Sequence, residues 1–170
     1  MATETTTKPK TTTKTRTTTA PKPVEVKVKK LHPDAVIPEK KTDGAVGFDL
    51  VTIEDTYLRT LNASDKADVV RTGLAFEIPD GYHMKLVLRS STGMNTKIRL
   101  ANQVGIIDSD YRGELKLIVE NPSRGVIKIP KGVRVAQCII EKNIPVKFTE
   151  VDKLSETKRG TGGIGSTGEA

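Results

Sequence analysis

The chain has 170 residues and a formal net charge of +7. That length favours one domain with a sizeable hydrophobic core. The charge is unevenly placed, because residues 1–30 hold eight Lys or Arg against two Glu while residues 31–170 contribute only +1. A nearly neutral body argues against a nucleic-acid-binding groove in the folded domain, and any role for the basic tail stays open.

Residues 1–23 are predicted to form a disordered tail. They consist mostly of Thr, Lys and Pro, and their only apolar residues are Met1, Ala2 and Ala20. Such a segment buries too little surface to offset the entropy of ordering. It lacks the apolar region of a secretory signal, and no segment of the chain has the length of a membrane span, so we expect no membrane association.

Residues 24–154 are predicted to form an all-β domain. Short runs of alternating or continuous apolar residues are separated by turn signals such as Pro79-Asp80-Gly81. The predicted strands are Val24–Val28, Phe48–Ile53, Val69–Ile78, Tyr82–Leu88, Leu115–Val119, Val126–Ile129, Val133–Glu141 and Val146–Val151. One or two helical turns are predicted after Ser90 or Ser91, either of which is a suitable cap. Many short strands at close spacing are typical of a β-sandwich or barrel.

Cys138 is the only cysteine, which excludes an internal disulfide and is typical of a reducing compartment such as the cytoplasm. It lies in an apolar run, so we expect a buried core residue. With His32 and His83 it shows no zinc-ligand spacing, and no transition-metal site is predicted.

The stretch Gly105-Ile106-Ile107-Asp108-Ser109-Asp110-Tyr111-Arg112-Gly113-Glu114 carries the greatest density of functional groups. Apolar runs flank a turn-forming Asp-Ser-Asp, so the pattern predicts a β-hairpin. A tyrosine in such a turn presents a flat apolar ring beside a carboxylate able to orient water. Taken alone, a polar surface turn with an incidental aromatic residue is an equal alternative.

This stretch is the third of five blocks that together resemble the homotrimeric dUTP pyrophosphatases, or dUTPases. The resemblance covers about residues 24–170, and the third and fifth blocks are its most specific parts. The other four blocks are Ala45-Val46-Gly47-Phe48-Asp49-Leu50, Arg89-Ser90-Ser91-Thr92-Gly93, Gly132-Val133-Arg134-Val135-Ala136-Gln137, and Arg159-Gly160-Thr161-Gly162-Gly163-Ile164-Gly165-Ser166-Thr167-Gly168. The resemblance implies a jelly-roll-like all-β fold, and hydrolysis of dUTP to dUMP and pyrophosphate, which limits uracil incorporation into DNA and supplies dUMP for thymidylate synthesis.

By this resemblance, the third block binds the nucleoside and activates water. Asp108 matches the aspartate that orients water towards the α-phosphorus, and Tyr111 matches the tyrosine whose ring leaves no room for a 2′-hydroxyl. Asn102 matches an asparagine that reads the uracil edge, with main-chain groups around Gly105 and Ile107 supplying the remaining contacts. Without the resemblance, Asp108 would be a turn cap and Tyr111 a packing residue.

Other blocks match the family's phosphate-binding residues. Arg89, Ser90 and Ser91 match a motif that receives the α- and β-phosphates, and Gln137 matches a glutamine that contacts phosphate oxygens. Asp49 matches an aspartate that holds Mg²⁺ through water, a behaviour typical of that strongly hydrated ion. Asp49 is therefore expected to assist catalysis as a water-mediated metal ligand.

Residues 155–170 are predicted to form a flexible glycine-rich arm that closes over the nucleotide. The resemblance assigns contacts with the nucleotide to Arg159, Gly163, Ile164, Gly165, Ser166 and Thr167. It also implies a homotrimer whose three sites each combine the third block, the phosphate-binding blocks and the arm from different chains.

Three positions depart from the family pattern. Ile164 stands where the family has Phe, Val133 replaces the aspartate of a Gly-Asp-Arg sequence, and Ser91 replaces a common Gly. The Arg-Ser-Ser form also occurs in dCTP deaminases, so one alternative is a deaminase or bifunctional deaminase of the same fold. A second alternative is a regulatory binding protein that keeps the fold.

Overall fold

The structure, a computed structural model, describes residues 22–63 and 66–164. Those residues form an all-β domain with one short α-helix, as predicted. The strands are β1 (Lys27–Lys30), β2 (Phe48–Val51), β3 (Thr56–Leu58), β4 (Asp68–Arg71), β5 (Leu74–Glu77), β6 (Tyr82–Leu88), β7 (Arg99–Leu100), β8 (Gly105–Ile107), β9 (Lys116–Glu120), β10 (Ile127–Ile129) and β11 (Arg134–Lys142). The helix α1 spans Ser90–Thr96, and a 3₁₀ turn spans Leu61–Ala63.

Two antiparallel sheets supply most of the core. One has the strand order β2-β11-β6-β8 and the other β4-β9-β7, and two-stranded pairs β1-β5 and β10-β3 flank them. Along β6 and β11, alternate side chains such as Met84, Leu86 and Cys138 point into the core, as the period of a strand requires. The other sheet adds its own buried residues to the same core, including Val70, Leu117 and Val119. Cys138 is buried, as predicted.

The predicted hairpin is wrong. Its first limb, β8, pairs with β6, and its second limb, β9, pairs with β4 and β7. The turn signal reflects only local sequence preference. The apolar face of each strand packs in a different sheet, and this packing decides the pairing. The connecting residues 108–115, here called the Asp108 loop, therefore link the two sheets.

Other predicted strands change in extent. The run Val69–Ile78 is divided into β4 and β5 by Gly73, whose φ of +66° belongs to the left-handed region that favours glycine. The predicted strand Val146–Val151 is absent from the described chain, where this segment has no regular structure. The short strands β3 and β7 carry too little pattern to be predicted.

A short helix forms where predicted, but it begins at Ser90 itself, so the predicted serine cap is wrong. The residue before the helix, Arg89, has extended backbone and makes no side-chain capping hydrogen bond. Ser90 and Ser91 are themselves the first two helical residues, so their hydroxyl groups are not used for capping. No helix within residues 22–63 and 66–164 has the length and apolar character needed to cross a membrane.

After β11 the chain leaves the domain. Residues 143–164, here called the C-terminal segment, expose nearly every side chain. Phe148 is 94% exposed, and its apolar neighbours in the segment are also exposed, namely Ile144, Val146, Val151 and Leu154. Such a concentration of exposed apolar side chains is typical of a surface that another chain covers.

Candidate functional site

The first candidate group surrounds Asp49 on β2. One carboxylate oxygen accepts a hydrogen bond from Arg134 Nη1 at 2.9 Å. The other lies 3.2 Å from Arg89 Nε and accepts a hydrogen bond from Gln137 Nε2 at 3.1 Å. Asp49 is 5% exposed, so these contacts replace water around its charge. We call Asp49, Arg89, Arg134 and Gln137 the Asp49 cluster.

A β-bulge brings two members of the cluster to one face. Gln137 is opposite Asp49, and Arg134 is opposite Val51 on the same strand. In a regular strand, residues 134 and 137 would point to opposite faces. The register shift between Arg134 and Ala136 corrects this, so that both side chains reach the Asp49 carboxylate.

A cavity of about 220 Å³ adjoins the cluster. Its lining includes Arg89 and Arg134, together with Ser91, Thr92 and Asn95 of α1. Val133, which replaces the family's aspartate, also lines it and so adds no negative charge. The cavity also has apolar walls, but two guanidinium groups at one side suit an anion such as a phosphate group.

The second candidate group lies in the Asp108 loop. Asp108 is exposed, and within the described residues its carboxylate has no hydrogen-bond or ion-pair partner. Arg112 fixes the loop, because its Nη1 donates to the carbonyl oxygens of Ser109 at 2.6 Å and Tyr111 at 3.2 Å. The carboxylate is thus free to bind water on a braced backbone.

Tyr111 follows Asp108 in the same loop, where its backbone amide donates to the Asp108 carbonyl oxygen at 3.3 Å, and the residue is 46% exposed. Its hydroxyl group donates a hydrogen bond to the carbonyl oxygen of Glu114 at 3.2 Å. The ring also lies against Gly113, where an added Cβ would fall 2.6 Å from Tyr111 Cζ. A side chain at position 113 would therefore displace the ring.

The remaining predicted nucleoside contacts lie near the start of β8. Gly105 is buried, and an added Cβ there would meet Leu86 at 3.0 Å, so glycine allows β8 to approach β6. Ile107 ends the strand, and Asn102 is exposed in the preceding turn. These three residues directly precede the Asp108 loop in the chain.

Within one chain the two groups are well separated. In the sheet register, Gln137 of β11 pairs with Asp49 of β2 on one side and with Val87 of β6 on the other. Ile107 of β8, at the opposite edge of the sheet, pairs with Met84 of β6. With about 3.3 Å per residue and about 4.8 Å between strands, the Cα atoms of Asp49 and Ile107 lie about 17 Å apart. Asp108 lies beyond Ile107, and the Arg89 side chain points the other way, towards β2.

The predicted arm residues Arg159 and Ile164 have no hydrogen bond or ion pair with either group in the described part of the chain. Arg159 Nε donates to the carbonyl oxygen of Gly162 at 2.8 Å, which closes a local turn. Ile164 is fully exposed. Gly165, Ser166 and Thr167 lie outside the described residues.

Two residues that the sequence prediction left without a role stand out. Arg134 is part of the Asp49 cluster, and Arg112 braces the Asp108 loop. Each lies within a recognised block. A basic residue inside a predicted phosphate-binding or turn motif is the sequence feature that could have indicated its role. The bulge that turns Arg134 towards Asp49 leaves no such signal.

Comparisons with known proteins identify the family of this chain. A family model described as dUTPase matches residues 33–168. Deoxyuridine 5′-triphosphate nucleotidohydrolase of Helicobacter pylori is 37% identical over 145 residues, which cover 85% of this chain and 97% of the relative. The enzyme of the same name from Helicobacter hepaticus is 42% identical over 147 residues, covering 86% and 90%.

Solved structures give the same result for the fold. A mutant dUTPase of Staphylococcus bacteriophage 80alpha, solved with dUpNHpp, has a TM-score of 0.76 and 25% identity. The alignment covers 85% of this chain and 99% of the phage protein. The family model spans most of the chain, and relatives above 30% identity match nearly their whole length. This chain therefore belongs to the dUTPase family.

Proposed function

We propose that this protein hydrolyses dUTP to dUMP and pyrophosphate through attack of water on the α-phosphorus. The observation that carries the proposal is the exposed, unpartnered Asp108 carboxylate on a loop braced by Arg112. A carboxylate in that state accepts a hydrogen bond from water and directs the oxygen lone pair at phosphorus. Family membership supplies the substrate class, since its curated relatives are named for dUTP hydrolysis.

Nucleoside selection is assigned to groups around the same loop. The Tyr111 ring would pack against the deoxyribose and exclude a 2′-hydroxyl, because a ring held at both ends has little freedom to yield. Asn102 offers a donor and an acceptor for the uracil edge, and main-chain groups at Gly105 and Ile107 complete the base contacts.

The phosphates are assigned to the cavity beside the Asp49 cluster. Arg89, Arg134 and Gln137 would donate to phosphate oxygens, together with the hydroxyl groups and free amides of Ser90 and Ser91 at the start of α1. Phosphoryl transfer depends mostly on positioning and charge stabilisation, and two preoriented guanidinium groups provide both. Arg159, Gly163, Gly165, Ser166 and Thr167 would add contacts to the γ-phosphate, with Ile164 over the base.

Magnesium is implied by the family. Arg134, Arg89 and Gln137 already contact the two oxygens of Asp49, so most of the acceptor positions of the carboxylate are occupied. The described residues also contain no cluster of three or more His, Cys, Asp or Glu suited to a metal. This arrangement favours a water-mediated contact, in which the ion would be held mainly by the nucleotide and would lower the charge of the triphosphate.

We also propose a homotrimer with shared active sites. A phosphate held by Arg89 and a water held by Asp108 have to meet, yet in one chain the Arg89 side chain reaches Asp49 on the edge strand β2, whereas Asp108 follows the opposite edge strand β8. Contributions from different chains remove the conflict, and closed cyclic symmetry provides three equal sites. The exposed apolar side chains of the C-terminal segment supply surface for such contacts.

Hydrolysis in ¹⁸O-labelled water tests the reaction. We expect the label in dUMP, with Mg²⁺ required for turnover. Label in pyrophosphate would contradict attack at the α-phosphorus. A panel of dUTP, dTTP, UTP, dCTP and a 5-substituted dUTP tests the substrate, and ammonia release from dCTP would indicate deamination instead.

Sedimentation tests the assembly, and an active monomer would contradict it. Mixing Asp108→Asn chains with chains lacking residues 159–170 provides a sharper test. Each variant alone is expected to have low activity. Mixed trimers should recover part of the activity, because some of their sites combine an intact Asp108 from one chain with an intact arm from another. No recovery after demonstrated subunit exchange would exclude shared sites.

A further inference from the structure

Glu114 anchors the C-terminal end of the Asp108 loop. Arg71 Nε donates to both oxygens of the Glu114 carboxylate at 3.1 Å, and the Gly73 amide donates to one of them at 3.0 Å. The Glu114 side chain is only 12% exposed, so solvent screens these contacts weakly. Charge-assisted hydrogen bonds of this kind are stronger than neutral ones.

The turn that receives Glu114 is itself fixed. Gly73 has a φ of +66°, and an added Cβ would lie 2.9 Å from His32 Cβ. The neighbouring Thr72 donates its hydroxyl to the Leu115 carbonyl at 2.6 Å, and the Leu115 amide donates to Leu74 at 2.7 Å. Glu114 thus joins the loop to a part of the core that has little room to move.

From Glu114 the constraint passes to Tyr111. The Tyr111 hydroxyl donates to the Glu114 carbonyl oxygen, and the ring rests against Gly113. If the backbone at Glu114 moves, the carbonyl oxygen that accepts the Tyr111 hydrogen bond moves with it, and the ring follows. Arg112 fixes the loop from its other side by binding two of its carbonyl oxygens.

We propose that Glu114 is a positioning residue for sugar selection, which ties the Asp108 loop to the Arg71–Gly73 turn and so sets the place of the Tyr111 ring. The inference rests on the proposed function in taking that ring to exclude a 2′-hydroxyl. Glu114 itself touches no substrate. Its contribution is to hold a steric barrier where a small displacement would admit ribose.

The test compares Glu114→Ala, Arg71→Gln and Gly113→Ala. The first two variants each remove one partner of the Glu114–Arg71 ion pair. The Arg71 side chain is partly exposed, so shortening it leaves no buried cavity. Gly113→Ala keeps the tie but displaces the ring. All three are expected to lower the ratio of kcat/KM for dUTP to that for UTP by roughly tenfold to a hundredfold, while Glu114→Gln, which keeps an acceptor for the Gly73 amide, gives a smaller loss.

A second readout requires no turnover. In protein labelled with ¹³C-tyrosine, the ring signals of Tyr111, assigned with Tyr111→Phe, are expected to shift or broaden in Glu114→Ala and Arg71→Gln. Signals of Tyr57 and Tyr82 serve as internal references. If the wild-type protein hydrolyses no dUTP, the proposed reaction fails, yet these signals still decide whether Glu114 places the ring.

Glu120→Ala is the matched control, because Glu120 pairs with Arg99 at 2.9 Å on the same strand β9 but outside the loop. It is expected to leave the dUTP to UTP ratio and the Tyr111 signals unchanged. Arg71→Gln with wild-type ring signals and a wild-type ratio would overturn the proposal, even if Glu114→Ala failed to fold. So would an equal change in Glu120→Ala.

Discussion

Asp49 and Arg134 face each other across β2 and β11, with Oδ2 of the aspartate 2.9 Å from Nη1 of the arginine. Arg89 approaches the other oxygen of the same carboxylate, so one buried acid lies between two guanidinium groups. The acid keeps two like charges close together, which a triphosphate requires and which mutual repulsion would otherwise oppose. Asp49 therefore holds the two arginines in place.

Asp49→Asn is expected to reduce turnover of dUTP at least tenfold. The amide keeps the shape but removes the charge that holds Arg89 and Arg134, so about 1–3 kcal/mol of unfolding free energy should also be lost. Kinetics and denaturant unfolding measure the two effects. Asp68→Asn is the control, since Asp68 pairs with Arg59 away from both groups, and it should cost stability without lowering turnover.

Asp108→Asn is expected to lower kcat by about 10² to 10⁴, with a modest change in KM, because assistance by a general base is of that size. The exposed loop position predicts little change in the melting temperature. Steady-state kinetics with a thermal melt distinguishes the two. Near-normal turnover would assign the water to another group.

The two chain ends are expected to differ in importance. Removing residues 1–23, which include no recognised block, should leave turnover nearly unchanged. Removing residues 159–170 should reduce it sharply while leaving the melting temperature within a few degrees, since Arg159 closes only a local turn and Ile164 is fully exposed. Loss of folding after the C-terminal deletion would contradict a purely functional role.

Ile164→Phe tests how the arm meets the base. If the aliphatic side chain only weakens stacking on uracil, the aromatic ring should lower KM for dUTP. If it makes room for a group at uracil C5, the ring should instead favour dUTP over a 5-substituted analogue. No change in either quantity would show that residue 164 does not touch the base.

Cys138 provides a pH-dependent prediction. Burial raises the pKa of this thiol to about 12 from its ordinary value of 9.0. The folded protein should therefore resist alkylation at pH 8. Stability from the neutral thiol is full below pH 9 and is lost as the pH rises from 9 towards 12, because only the unfolded state ionises readily there. Cys138→Ala should show a smaller fall in unfolding free energy over that range, and rapid alkylation of the native protein at pH 8 would contradict the burial.

The sequence predicted the all-β class and most strands because alternation of apolar residues is a local property. It predicted the wrong partner for β8, since pairing with β6 depends on contacts with Met84 and Leu86 far away in the chain. The bulge beside Val135 was equally inaccessible, because it follows from the fit of β11 against β2. Candidate residues came from motif resemblance. The ion pair between Glu114 and Arg71 could not be predicted, because it joins residues far apart in the chain that only the fold brings together.

The distance between the Asp49 cluster and the Asp108 loop has a consequence for the cell. If catalysis requires contributions from three chains, newly made protein is inert until the copies meet, and activity at low abundance rises more steeply than the amount of protein. Synthesis then behaves as a threshold, with little hydrolysis from scattered chains and full hydrolysis once the trimer is populated. A change in expression of a few fold near that threshold would alter the dUTP level far more than in proportion.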